Sequence, residues 1–327
     1  MPIHPRLRTW TSLLLFVLLA STAIHAQSDA ILYCETSPFN TPISYDAAYR
    51  PEPRIGAIRP GYPEWSMPIY RITSAEPMPL VTIVNEYSGR VEEWPIPLDA
   101  QPAPADDRHM GVIDFAAGLT YEMWDARWQS DGTILAGGMV SFPLDGPGIS
   151  ANPNQRVTAA GFAVSAGMVI REDLEGQNLD NLVIAHALTI TLPRDIVAPE
   201  EFIAPAVGGE VAGTNRIDGI PMGTRFALPQ HVDIDGLPGL HPLSRAVLRA
   251  MRDYGLYVND SSTAGLYNGL YVGTFRMEPG LSQEFFQRDD FDLLMQVQEE
   301  TAEIIAEYGI YRVINYHEEA PRNFCTD

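Results

Sequence analysis

The 327-residue chain contains no lysine: all 21 of its basic residues are arginine, set against 42 acids. That absence excludes a Schiff-base lysine and a lysine general base. A formal charge of -21 also speaks against nucleic-acid or anionic-membrane partners, since both require a basic face. Cysteine is nearly missing as well. Only Cys34 and Cys325 occur, and neither carries a nearby histidine pattern of the kind that makes a cysteine nucleophile. No His-x-His or His-Glu-x-x-His spacing exists, so no metal site is assigned. Gly-x-Ser-x-Gly, Ser-x-x-Lys and glycine-rich phosphate loops are absent too. Beyond residue 26, no apolar run reaches membrane-spanning length, so no membrane span is expected.

What is present begins at the N-terminus. Arg6 and Arg8 precede an unbroken apolar run over residues 13–20, and small residues lead up to Gln27. This ordered triplet reads as a secretory leader cut after Ala26, with Ala23 as the alternative. The mature protein is then secreted or periplasmic. Removing residues 1–26 takes away two arginines and no acid, so the charge of -21 becomes -23. In an exported chain two cysteines most simply form one disulfide, here Cys34 to Cys325. Such a bond closes nearly the whole mature chain, for which chain-entropy models give about 5 kcal/mol. Two unpaired thiols are the alternative.

Residues 27–79 carry nine prolines between Pro38 and Pro79 and read as an extended arm laid over the main body. Residues 80–280 alternate short β-type segments with turns, at 80–84, 91–96, 111–115, 119–128, 133–142, 182–192, 224–228, 256–259 and 269–275. That pattern predicts a mainly β fold, a single β-sandwich or jelly-roll domain. Helix is scarce: 245–254 capped by Ser244, one turn at 171–175, and 291–308 within an acidic helical C-terminal segment, 281–327.

Candidate chemistry rests on a few side chains. Alternation places Asp107 and His109 on one strand face, a carboxylate positioned to orient an acid/base histidine. His186, flanked by Ala185 and Ala187, has room for a ligand beside its ring, although its face otherwise reads as core. Arg225 follows a turn and can clamp a carboxylate or sulfate, or pair with an internal acid. Trp124 and Trp128 share a period-two face with Glu122 and suit sugar stacking, or else a tryptophan-rich core strand. Glu122 or Asp125 then offers an acid or nucleophile. Tyr254 is a substrate-side hydroxyl candidate. Asp233-Ile-Asp235-Gly236 matches a fragment of a calcium loop but lacks its remaining ligands, so structural calcium is only weakly supported.

The segments Ser37-Pro-Phe-Asn-Thr-Pro-Ile43, Trp94-Pro-Ile-Pro97, Asp107-Arg-His-Met110, Ala185-His-Ala-Leu188, Pro221-Met-Gly-Thr-Arg225 and Tyr254-Gly-Leu-Tyr-Val-Asn-Asp260 occur in this order. Over residues 35–275 the chain thereby resembles a group of uncharacterised secreted β-rich bacterial proteins associated with cell-surface polysaccharides. The resemblance implies a glycan partner but no reaction and no catalytic residue. The acidic helix at 281–316 departs from the group's pattern. Together these readings predict an exported carbohydrate-active enzyme, a glycoside hydrolase or polysaccharide lyase. Asp107, His109, His186 and Arg225 form its catalytic set. A non-catalytic glycan-binding or envelope protein is the competing expectation. N-terminal sequencing of the exported protein should begin at Gln27; a mature chain still starting at Met1 overturns the leader.

Overall fold

The computed structural model describes residues 31–73, 78–211, 218–263, 265–314 and 324–325; the expected leader lies outside them. Short β-branched and aromatic runs, broken by Gly, Pro and Asp, make the molecule mostly β with several sheets and a few helices. In chain order the strands are β1 (Tyr49–Pro51), β2 (Ile55–Pro60), β3 (Ile69–Ile72), β4 (Leu80–Asn85), β5 (Val91–Pro95) and β6 (Met110–Asp114). Next come β7 (Leu119–Trp124), β8 (Arg127–Trp128), β9 (Ile134–Ala136), β10 (Gly138–Pro143), β11 (Leu188–Pro193) and β12 (Val197–Phe202). The remainder are β13 (Ile220–Met222), β14 (Arg225–Ala227), β15 (Leu256–Ser262), β16 (Leu266–Tyr267), β17 (Leu270–Phe275) and β18 (Tyr311–Val313). The helices are α1 (Pro242–Asp253), α2 (Leu281–Phe286) and α3 (Asp290–Tyr308).

The largest sheet runs β1-β18-β14-β15-β11-β17-β16, with β2 added on β17. A second runs β10-β7-β6-β3, a third β5-β4-β9-β8, and β12 pairs with β13. A jelly roll is antiparallel throughout. Here each of the four sheets contains a parallel ladder: β11/β15 and β2/β17, β3/β6, β4/β9, and β12/β13. The architecture is therefore a mixed β fold. The proline-rich segment expected as an arm supplies β1, β2 and β3, which pair with β18, β17 and β6. Its prolines fall at strand ends and between strands, where a missing N–H breaks no ladder.

One hairpin fixes much of the rest. β7 and β10 pair through Gly138↔Trp124, and then both chains leave the sheet together. Asp125 turns at φ +52°, and Gly137 lies so close under the Trp124 ring that an added Cβ would sit 2.7 Å from it. Beyond this kink the chains continue as β8 and β9 in the third sheet. The single strands expected over 119–128 and 133–142 are thus each two strands. The second sheet consequently has core on both faces. Ile113, Val140 and Phe142 meet the large core with Leu188, Ile190 and Phe275. Met110, Val112 and Met123 meet a smaller one with Ile83, Trp94 and Ile134.

Helix ends follow capping chemistry. α1 begins with Pro242, and His241 rather than Ser244 caps it, its Nδ1 accepting from the Leu243 amide at 3.2 Å. α3 is capped by Asp289 and stops at Gly309, whose φ is +79°. It is pinned to β2 where Thr301 Oγ1 accepts from the Ile58 amide (3.1 Å) and donates to the Ile58 carbonyl (2.5 Å). Arg71 on β3 bridges Glu172 and Glu278 through four contacts of 2.5–2.7 Å. Cys34 and Cys325 form the expected disulfide, with Cα atoms 5.7 Å apart.

Gly255 joins α1 to β15 at φ +81°, and a Cβ there would lie 2.6 Å from the Phe226 carbonyl. Gly255→Ala should therefore destabilise the protein by more than the roughly 1–2 kcal/mol that the left-handed conformation alone costs. Urea denaturation checks this, and an unchanged midpoint would refute it.

Candidate active site

The alternation of β6 and β7 sets Gly111 opposite Glu122, so His109, Glu122 and Trp124 share the face turned to the large core. Arg276 enters this space one residue beyond the end of β17. Its Nη2 donates to His109 Nε2 at 3.2 Å. A guanidinium only donates, so the proton of the neutral ring sits on Nδ1. Burial, then the charge of Arg276, hold the His109 pKa well below the ordinary histidine value. His109 is 1% exposed. It is a neutral, interior group and does not reach a substrate.

Deeper on the same face, the Glu122 carboxylate accepts from the Val164 amide (2.6 Å), the Ser165 amide (3.1 Å) and Ser165 Oγ (2.5 Å). Ser165 Oγ also meets the Tyr33 hydroxyl at 2.7 Å, which lies 3.2 Å from Thr120 Oγ1. Burial raises the Glu122 pKa, against the hydrogen bonds and Arg276. Burial, and then the charge of Glu122, also raise the Tyr33 pKa.

Asp260 comes from the opposite sheet. β15 carries a bulge: Ile190 pairs with Val258 but Thr191 pairs with Asp260, leaving Asn259 as the extra residue. Such a bulge re-aims the side chains that follow it. The Asp260 carboxyl is pushed up to about 7, mainly by burial, with Glu210 and Asp107 adding and Arg276 and the Ser261 amide opposing. Glu210 accepts from Ser261 Oγ at 2.6 Å. Asp107 accepts from Trp124 Nε1 at 3.5 Å. Asp107, Glu210 and Asp260 are each partly exposed as residues, although the Asp260 carboxyl itself is buried, and His109, Glu122 and Arg276 are buried.

Of the sequence candidates, Asp107, His109 and Trp124 belong to this cluster. The others are committed elsewhere. His186 lies in irregular chain ahead of β11, where its Nδ1 is 2.9 Å from the Ala187 carbonyl and its Nε2 is 3.2 Å from Asp173 Oδ1. Arg225 is fully buried; its Nε and Nη2 donate to the Tyr254 and Thr41 carbonyls at 2.7 Å. It clamps the N-terminal segment to α1. Tyr254 ends α1 and packs against the large core. Trp128 packs on the smaller core and donates to the Ala100 carbonyl at 2.8 Å. The kink at Asp125 separates it from Trp124, so the two make no common stacking face. Asp233 accepts from the Gly236 amide at 3.1 Å, and Asp235 pairs with Arg249 at 2.6 Å. Among the described residues no group of three or more His, Cys, Asp and Glu is arranged to hold a metal ion.

A groove of about 600 Å³ is tied to this region through the backbone, the amide of its lining residue Ala103 donating to the His109 carbonyl at 2.9 Å, and no side chain of the cluster lines it. It is lined by the aromatic rings of Tyr62, Tyr70 and Phe291, by prolines including Pro102, Pro104 and Pro279, and by Glu64, Asp289 and Asp290. Two chain segments serve both places. Residues 101–104 line the groove just before Asp107 and His109, and Pro279 lines it just after Arg276.

Asp260, Glu210 and Arg276 were not among the candidates read from sequence. The signal for two of them is a polar end on an apolar strand: Asp260-Ser-Ser after 256–259, and Arg276-Met-Glu after 270–275. Glu210 carries no such mark. No protein-family model, no curated protein and no solved structure matches the chain. Among the described residues no helix is long and apolar enough to cross a membrane.

Burial works to lower the His186 pKa, but the charge and hydrogen bond of Asp173 outweigh it and the net shift is upward. A raised histidine stabilises the fold at low pH and loses that contribution as pH climbs above its ordinary value of about 6.5. The stability gap between wild type and Asp173→Asn should therefore be larger at pH 5.5 than at pH 8.5. Denaturation curves at both pH values check this, and a gap that grows with pH contradicts it.

Proposed function

We propose that the protein is an exported glycan-cleaving enzyme of the hydrolase kind, with Asp260 and Asp107 as its acid/base pair. The observation that carries the reading is Asp260, whose buried carboxyl keeps its proton to about pH 7 on a partly exposed residue, with the carboxyl of a second partly exposed residue, Asp107, acting on it. Two carboxyls in unlike environments are what glycoside hydrolysis uses, one to give a proton and one to take one or to attack. In this scheme Asp260 protonates the glycosidic oxygen as its C–O bond breaks. Asp107 takes a proton from the water that adds to the anomeric carbon, and the Trp124 indole N–H holds it in place. Arg276 and His109 act as positioning residues behind the pair. The aromatic groove, whose lining segment 101–104 leads into Asp107 and His109, supports a sugar chain as the substrate.

The lyase version with His109 as base is less well supported, because that ring is neutral, buried and held by Arg276. A binding protein without catalysis is the second reading, and the groove is the observation that favours it. Export rests on the N-terminal leader and is compatible with the disulfide.

A panel of neutral, amino-sugar and uronate polysaccharides, assayed for reducing ends, tests the proposal. Asp260→Asn should lower the rate about a hundredfold to ten-thousandfold, as expected for loss of a general acid. The wild-type rate should fall as pH rises through about 7 while Asp260 loses its proton. No cleavage of any polymer, or an Asp260→Asn enzyme of full activity, defeats it.

A further inference from the structure

The groove carries a charge pattern that narrows the ligand. Glu64, Asp289 and Asp290 line it, and none of the three forms an ion pair among the described residues. Asp289 Oδ1 caps α3 by accepting from the Phe291 amide at 2.9 Å. Arg59 stands outside the lining with its guanidinium 5.1 Å from the Tyr62 ring centre, and Arg288 precedes Asp289 in the chain. The lining itself carries three carboxylates and no basic side chain, within a chain that is itself strongly acidic. Aromatic surface is present in the same place. Tyr62 is 39% and Phe291 52% exposed, and the Tyr70 hydroxyl is fixed by the Gln101 amide (2.7 Å) and carbonyl (3.0 Å).

An anionic sugar is repelled by such a site, whereas an ammonium-bearing sugar is attracted to its carboxylates and can lay its C–H face on the rings. We propose that this groove binds a chain of amino sugars carrying free ammonium groups. Glu64 and Asp290 are the principal charge partners, and Phe291 and Tyr62 form the stacking surface. The choice of a sugar rests on the function proposed above; the choice of a cationic one rests on the groove. Trp65 flanks Glu64 and is 45% exposed, which makes its fluorescence a reporter at the site.

The test is a titration of the whole mature protein with a glucosamine tetramer, its N-acetylated neutral counterpart, an oligogalacturonate and an arginine-flanked polyproline peptide. It is followed by calorimetry and by tryptophan emission, with Trp65→Phe assigning the part of the change that comes from Trp65 rather than Trp94, Trp124 or Trp128. The glucosamine tetramer should bind at least about tenfold tighter than the neutral one. Its affinity should fall as salt rises from about 0.05 to 0.5 M, because exposed charge pairs are screened. Glu64→Gln combined with Asp290→Asn should remove that preference, and Phe291→Ala should weaken both sugars. These residues are on the surface, so the fold is kept. Equal binding of the two tetramers, no binding of either, or tighter binding of the peptide than of any sugar each overturns the proposal. Repeating the titration on Asp260→Asn separates the two claims. Binding by both proteins without cleavage by wild type removes the hydrolase reading and leaves the groove. Cleavage with no charge preference removes the groove assignment alone.

Discussion

The buried guanidinium of Arg276 is the interaction on which the candidate site depends. It enters from the end of β17, bonds His109, and lowers the cost of ionising both Glu122 and Asp260. A charge in a low-dielectric interior is expensive alone and strong when opposed. With it in place, an imidazole and a carboxyl can be buried against each other's sheets, and the strands that carry them are drawn together. Burying Asp260 still outweighs its help, which is why that group stays protonated so far above the usual carboxylate range. A carboxyl that holds its proton in this way works against the stability of the fold once it ionises.

The second constraint is the kink at Asp125 and Gly137. By sending β8 and β9 into another sheet, it stops β7 at Trp124 and leaves that indole at the sheet margin, where its N–H reaches Asp107. The same break covers the second sheet on both faces, so β6, which follows His109, and β7, which carries Glu122, are packed from above and below.

Strands governed by local alternation were legible in the sequence. The segments at 80–84, 91–96, 111–115 and 269–275 correspond closely to β4, β5, β6 and β17. Features set by distant partners were not. His186 reads as part of a strand, but the next amide, that of Ala187, is taken by the Phe39 carbonyl, and the ladder begins only at Leu188. The proline-rich stretch reads as an arm because its prolines forbid helix, yet the pairing of β2 with β17 depends on a partner more than half the chain away. For the site, the two-residue spacing read Asp107 as orienting His109 on one strand face, but Arg108 turns at φ +42° ahead of β6, His109 is held by Arg276, and Asp107 takes the Trp124 N–H. Asp260 depends on a bulge defined only by its register against β11, and Arg276 on where β17 ends. No spacing rule within one segment reveals either.

The bond between Cys34 and Cys325 has a mechanical meaning. It spans 291 positions of sequence while holding the two backbones 5.7 Å apart, so nearly every element of the fold lies inside a covalent ring. Tension applied to the two ends of the chain runs from one cysteine to the other through sulfur. The sheets lie off that line of force and are not pulled open. Any unfolding must proceed within a closed loop whose ends never separate.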